Sequence, residues 1–274
     1  MRPSPVVNQI IGSVLVRGLQ LYSVKLYAFV FASNHFHLIL SGNPNEISRF
    51  MAHLQSNIAR QVGELVDWKD KFWARRYSSE PILDDDALVG RVQYIFEHGV
   101  KEGLVSNANK WPGLTGISEL TSSKKRHFYW FHKARHTAAT QAGKAVIRSD
   151  FLEKLPLILH PLPQWKDLQN PEQQQLYRQT LKAANHCAKE KRNNKQALGL
   201  KKVLAQHPHQ KPKRSSGKPR PLCHTTCSQL RKQFKILYRE FLAAYWEASA
   251  AYLRGAFDIP FPEGTFRPPI GVLN

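Results

Sequence analysis

The chain has 274 residues, with 40 Lys and Arg against 20 Asp and Glu, giving a formal charge of +20 and a pI near 10. Hydrophobic residues at 42% and aromatics at 11% exclude a wholly disordered protein, and no apolar run reaches the roughly 18 residues that a membrane span needs. Three cysteines, Cys187, Cys223 and Cys227, imply no disulfide framework and point to a reducing compartment. The opening MRPSPVVNQIIGSVLV is interrupted by Asn8, Gln9 and Ser13 and makes a poor signal peptide.

In chain order, Val7, Ile10, Ile11, Val14, Leu15 and Leu19 recur at helical spacing behind Pro5. VKLYAFVFAS (24–33) and HFHLILS (35–41) are rich in β-branched and aromatic residues and read as two strands joined tightly through Ser33 and Asn34. Asn43-Pro44-Asn45 is a turn, with Asn45 the expected cap of a helix reaching about Leu65. KFWARRYSSEPIL (71–83) suits extended structure. Asp84, Asp85 and Asp86 then favour the start of a helix expected to run to about Glu102, where Gly103 stops it. Helix, two strands, helix, extended segment and helix give an α+β protein with helices on one face of an antiparallel sheet. KKRHFYWFH (124–132) is a basic-aromatic block, residues 172–192 a polar helix, and residues 228–255 an amphipathic helix before a Pro-rich tail.

The charge is unevenly placed. Residues 1–105 carry 11 Lys and Arg against 10 Asp and Glu, whereas 106–274 carry 29 against 10. A near-neutral module followed by a basic extension suggests a polyanion-binding surface. Between 189 and 220 there are eleven basic residues and one acid, Glu190, which reads as a linker or arm that orders on a partner. The expected organisation is 1–118, the near-neutral module; 119–185, a basic-aromatic extension; 186–222, the arm; and 223–274, the amphipathic helix and tail.

Chemistry concentrates in two places. On a strand, His35 and His37 share a face, and two imidazoles so spaced can bind one divalent ion, with Phe36 turned to the core. A hydrogen-bonded pair on a sheet face is the plainer reading of that motif alone. On the third helix Tyr94 and His98 are four apart and share a face. A tyrosine oxygen can serve as a nucleophile beside a metal, and His98 can complete a three-imidazole set. By its neighbours Val92, Ile95 and Phe96, Tyr94 also suits a core position. Cys223-His224, Cys227 and His186-Cys187 follow no standard zinc spacing.

SNHFHLIL followed by YIFEHGVKEGLV resembles the HUH-type single-tyrosine transposases, and within them the REP-associated branch, over roughly residues 7–115. KFWARRY between the two motifs is also typical of that branch. The resemblance implies a ferredoxin-like sheet, divalent metal (Mg2+ or Mn2+) at His35, His37 and His98, and Tyr94 as the nucleophile forming a 5′-phosphotyrosine. Its implied substrate is single-stranded or hairpin DNA, in the cytoplasm and at the nucleoid, with no membrane and with both monomers and homodimers among relatives. Arg75 and Arg76, Lys124, Lys125 and Arg126, and Lys211, Lys213 and Arg214 of the arm are the candidate DNA contacts. Two departures stand out: no strand precedes the first helix, which predicts a later start than in relatives or an open sheet edge, and HGVKEGLV replaces NPVxAGLV, which predicts a longer third helix. A non-catalytic hairpin-binding relative and an RNA- or ribosome-binding protein are the other function classes compatible with these residues.

Overall fold

The computed structural model describes residues 2–122, 124–193, 195–206 and 221–269. The elements are α1 (Pro5–Leu21), β1 (Val24–Phe31), β2 (Phe36–Gly42), α2 (Pro44–Leu65), α3 (Asp85–Glu97), α4 (Ile117–Thr121), β3 (His127–Phe131), α5 (Lys133–Gln141), β4 (Leu152–Pro156), α6 (Asn170–Lys191), α7 (Leu200–Ala205) and α8 (Ser228–Leu253). The chain divides into two compact units, Met1–Tyr77 with Val89–Ser215, and Ser78–Leu88 with Ser216–Asn274. No helix among the described residues is long and apolar enough to cross a membrane.

In the first unit, α1 starts where expected: Ser4 caps it by accepting the Val7 amide at 3.1 Å, and Pro5 occupies the first turn, where its missing N–H costs nothing. For α2 the cap is Asn43 rather than Asn45. Its side-chain oxygen accepts the Asn45 amide at 2.9 Å, because Pro44 already sits in the helical first turn. β1 and β2 pair antiparallel with Phe31 opposite Phe36, and the Ala32 amide donates to the His35 carbonyl at 2.8 Å, closing the two-residue turn at Ser33 and Asn34. Every residue of β1 except Lys25 is buried. Leu26, Phe29 and Phe31 of β1 join Val14 and Leu15 of α1 and Phe50, Leu54 and Ile58 of α2 in one core.

The fold is α+β as the pattern predicts, but its regular pairing is divided between two two-stranded antiparallel sheets, β1–β2 and β3–β4. Helices α1 and α2 lie on the core face of the first hairpin; α3 approaches the opposite face, so helices do not all share one side. The open edge, one of the two alternatives for the missing first strand, is partly covered among the described residues: the Phe31 amide donates to the Leu114 carbonyl at 2.8 Å, the Gly116 amide to the Phe29 carbonyl at 3.2 Å and the His160 amide to the Leu26 carbonyl at 2.8 Å. The basic-aromatic block forms β3, with Phe128 buried in the core against Gly12 of α1, where a Cβ would lie 2.0 Å from the Phe128 ring.

Beyond α6 the expected arm is partly folded. Arg192 donates to the Val100 and Val105 carbonyls at 3.2 and 3.1 Å, the Leu198 amide donates to Gly103 at 2.7 Å, and Val203 of α7 is buried. Lys211, Lys213 and Arg214 lie outside the described residues.

The second unit couples sequence-distant segments. Leu83 donates to the His224 carbonyl at 2.9 Å and His224 to Pro81 at 2.8 Å. Asp84, which caps α3 by accepting the Ala87 amide at 2.7 Å, also accepts the Thr226 amide at 2.8 Å and the Thr225 and Thr226 hydroxyls. The tail returns along α8, where Tyr245 and Tyr252 meet Phe261.

Candidate active site

The period of two along the hairpin sorts its side chains as the sequence implies. Phe36, Leu38 and Leu40 pack on the core, with the Phe36 ring 5.4 Å from those of Phe31 and Trp73. His35, at the hairpin turn, and His37, within β2, share the opposite face. Across that face Tyr94 and His98 project from one side of α3 and its C-terminal turn. The His37 and His98 rings stack at 4.4 Å, His35 lies 5.2 Å from His37 and 5.4 Å from His98, and Tyr94 lies 5.4 Å from His37 and 5.0 Å from His98, all between ring centroids. The three imidazoles each present a ligand nitrogen within 4.8 Å of the others.

Helix α3 ends at Glu97, five residues before the expected stop. Gly99 takes a left-handed φ of 80°, and its carbonyl accepts the Leu104 and Val105 amides at 2.8 and 3.0 Å. A glycine-based turn thus terminates the helix without a proline, and it leaves Glu102 facing back on His98.

The orientation of the imidazoles comes from neighbours. His35 donates through Nδ1 to the Asn34 side-chain oxygen at 2.6 Å, and His98 presents Nδ1 to Glu102 Oε1 at 3.2 Å. Both bonds leave Nε2 as the ligand atom, the arrangement in which an outer partner fixes the tautomer of a metal-binding histidine. His98 is 5% exposed, and its Nε2 is buried without a hydrogen-bond partner in the protein. A buried imidazole nitrogen whose lone pair meets no donor or cation is costly. A divalent ion shared with His35 and His37 satisfies it, so the donor set fits a metal.

The electrostatics agree. Burial pushes His37 down to about 3, helped by the neighbouring His98 and His35, and burial likewise lowers His35. Both are therefore neutral, as ligands must be, at ordinary pH. Burial alone would raise Glu102. The hydrogen bond and charge of His98, the Lys101 ammonium and the Gly99 amide at 2.6 Å outweigh it and hold the carboxyl at about 2. Tyr94 is half-buried, with the Lys101 ammonium 3.3 Å from its ring centroid and the Arg91 guanidinium 4.7 Å away. One turn along, the buried Glu97 carboxylate accepts from Lys191 of α6 at 2.8 Å, a bond that raises the Lys191 ammonium.

Of the basic candidates, Arg75 and Arg76 are exposed after α2, and Lys124 and Lys125 are exposed before β3. Arg126 instead forks onto Glu119, with Nε at 2.8 Å, and donates to the Thr115 carbonyl at 2.6 Å. Cys187, Cys223 and Cys227 are free thiols, and among the described residues the three histidines form the one group of ligand side chains close enough to hold an ion. Sequence reading overlooked Asn34, Lys101 and Glu102. Glu102 had a signal: it lies four residues beyond His98.

Three imidazoles whose nitrogens could hold a divalent ion thus lie beside the Tyr94 ring, on one face of an antiparallel hairpin. Residues 5–98, which contain all four of these side chains, match the family described as Transposase IS200 like. That segment is similar to the IS200-like transposases, which process DNA. Neither a curated protein nor a solved structure matches the chain significantly.

Proposed function

We propose that this protein is a metal-dependent DNA strand transferase that cuts and rejoins single-stranded or hairpin DNA through a 5′-phosphotyrosine at Tyr94. The observation that supports this reading most is the buried, unpartnered Nε2 of His98 facing His35 and His37, one helical turn from Tyr94. His35, His37 and His98 would hold the ion. A bound divalent cation supplies polarisation of a non-bridging phosphate oxygen. Three imidazoles suit Mn2+ better than Mg2+, which prefers oxygen ligands.

In this reading the Tyr94 oxygen attacks phosphorus, the bond to the 3′-oxygen breaks, the hydroxyl proton of the tyrosine passes to water, and the departing 3′-oxygen takes up a proton. The phosphodiester energy is kept in the protein–DNA bond, so a returning 3′-hydroxyl can reverse the step without another energy source. The Lys101 ammonium and the Arg91 guanidinium lie over the Tyr94 ring and put positive charge beside it. Arg75, Arg76, Lys124 and Lys125, with Lys211, Lys213 and Arg214, would contact phosphates; Arg126 does so only by leaving Glu119. Substrates from repeated palindromic elements, work at the nucleoid in the cytoplasm, and pairing of two copies belong to the same reading.

The test is incubation of purified protein with end-labelled hairpin DNA and Mn2+ or Mg2+, followed by denaturing electrophoresis. A covalent adduct is expected for wild type, absent in Tyr94→Phe and abolished by EDTA. DNA that binds without ever forming an adduct would make the chain a hairpin-binding protein instead.

A further inference from the structure

We infer that the first unit carries a second nucleic-acid site, in the cleft where the first turn of α1 and the last turn of α2 meet the β3–α5 corner, and that it holds a segment of single-stranded DNA. The inference rests on the reading of DNA as substrate but not on cleavage, and the cleft shares no residue with the imidazole site. It encloses about 750 Å3, enough for one or two nucleotides.

Its lining is of two kinds. Arg60, Arg135 and Arg148 stand on the rim, all exposed. Among the described residues no carboxylate lies within ion-pair distance of any of them; Arg60 is steadied by donating to the Asn57 side chain at 2.8 Å. The one acid in the cleft, Glu64, is taken by Lys133 at 3.3 Å, and His132 is taken by Glu153 at 2.9 Å. Three exposed guanidinium groups thus have no carboxylate partner among the described residues, and their planar donor geometry suits phosphate oxygens.

Between them the surface is apolar. Val6 and Leu65 are 55% and 48% exposed, and Trp130, which packs on the core, and Phe131 are only half-buried. The Arg148 guanidinium lies over the Phe131 ring, 4.3 Å from its centroid, so a cation and an aromatic ring stand together in the cleft wall. A small anion has no use for the apolar floor, and an acyl chain has no use for three separated cations. A nucleic-acid strand presents both a charged ester and a stackable base at every step.

The experiment measures anisotropy of a labelled, unstructured oligothymidine with full-length protein in EDTA, so that cleavage plays no part. Arg60→Glu and Arg148→Glu alter exposed side chains and should leave the circular dichroism unchanged. Each is expected to weaken binding by about tenfold and to flatten the slope of log affinity against log salt by about 0.7 for each phosphate left without its cation. Arg254→Glu, the same charge change at an exposed residue outside the cleft, should do clearly less. Unchanged affinity and slope in the protein carrying both cleft substitutions overturn the site, as does an equal loss in Arg254→Glu. Cleft-dependent binding of anionic phospholipid vesicles, with oligonucleotide binding untouched, overturns it in favour of a lipid. The adduct assay with Tyr94 tests the catalytic reading separately, and neither result decides the other.

Discussion

At the scale of single residues the site depends on side chains that touch no reacting atom. His98 is buried with Nδ1 against Glu102, and the same carboxylate accepts the Gly99 amide, so one residue both closes the turn after α3 and selects which imidazole nitrogen is free. Removing Glu102 should loosen the ring and free Nδ1 to compete for the ion. Outer partners of metal-binding histidines commonly carry about 10–100-fold in affinity. Glu102→Ala is therefore expected to lower Mn2+ affinity, read by titration calorimetry, into that range, while Glu102→Gln, which keeps an accepting oxygen, recovers most of it. Were Glu102 only a turn residue, both variants would lower thermal stability and leave the affinity of the folded fraction alone. His35, His37, Tyr94 and His98 were legible because two simple periods, two on a strand and four on a helix, place them. Asn34 and Glu102 were not. A His–Glu pair four apart is ordinary on an exposed helix, and only the burial of His98 makes its partner matter.

At the scale of elements, long periodic segments announced themselves. Hydrophobic spacing reads α1, α2, β1 and β2 to within a few residues, since each buries or pairs one face, and it reads α8 too, although Ala248 is the one buried residue of that helix. Short elements with mixed composition did not. LEKLP of β4 carries two charges and ends in proline, and it is a strand because β3 lies alongside, with Phe128 opposite Leu155 and both in the core. That core contact also explains Gly12, silent in the sequence of α1. With a Cβ there 2.0 Å from the Phe128 ring, even one methyl must displace the ring or push β3 away from the helix. Gly12→Ala raises helix propensity, by up to about 1 kcal/mol in an exposed setting, yet overpacking a filled core costs about 1–3 kcal/mol. The packing term wins, and a net loss of stability is expected in urea denaturation. A variant pairing Gly12→Ala with Phe128→Leu should recover part of it; a stabilised Gly12→Ala would mean that β3 does not pack there.

At the scale of the whole molecule, charge and topology pull in different directions. The excess of basic residues after 105 reads from the sequence as an appendage, whereas β3, β4 and α6 are built into the first unit and residues 78–88 belong with the C-terminal segment. No local pattern reveals that exchange, because the contacts that make it lie more than a hundred residues apart. Asp84 is the clearest instance: its carboxylate collects Thr225, Thr226 and Ala87, across 141 and 142 positions of sequence for the first two. The Thr225 hydroxyl first, then the Ala87 amide and the Thr226 donors, hold its carboxyl well below the usual carboxylate range. A depressed folded pKa means that the unfolded chain binds the proton more readily, so the stabilisation is fully present above the unfolded value of about 3.9 and disappears as pH falls below it toward the folded value. Thermal unfolding followed by circular dichroism should therefore show Asp84→Ala melting below wild type at pH 7, with the gap between the two narrowing as the pH is lowered from about 4 to 2. A gap that stays constant over that range would mean that the carboxylate charge contributes nothing and that Asp84 acts only through the space it fills.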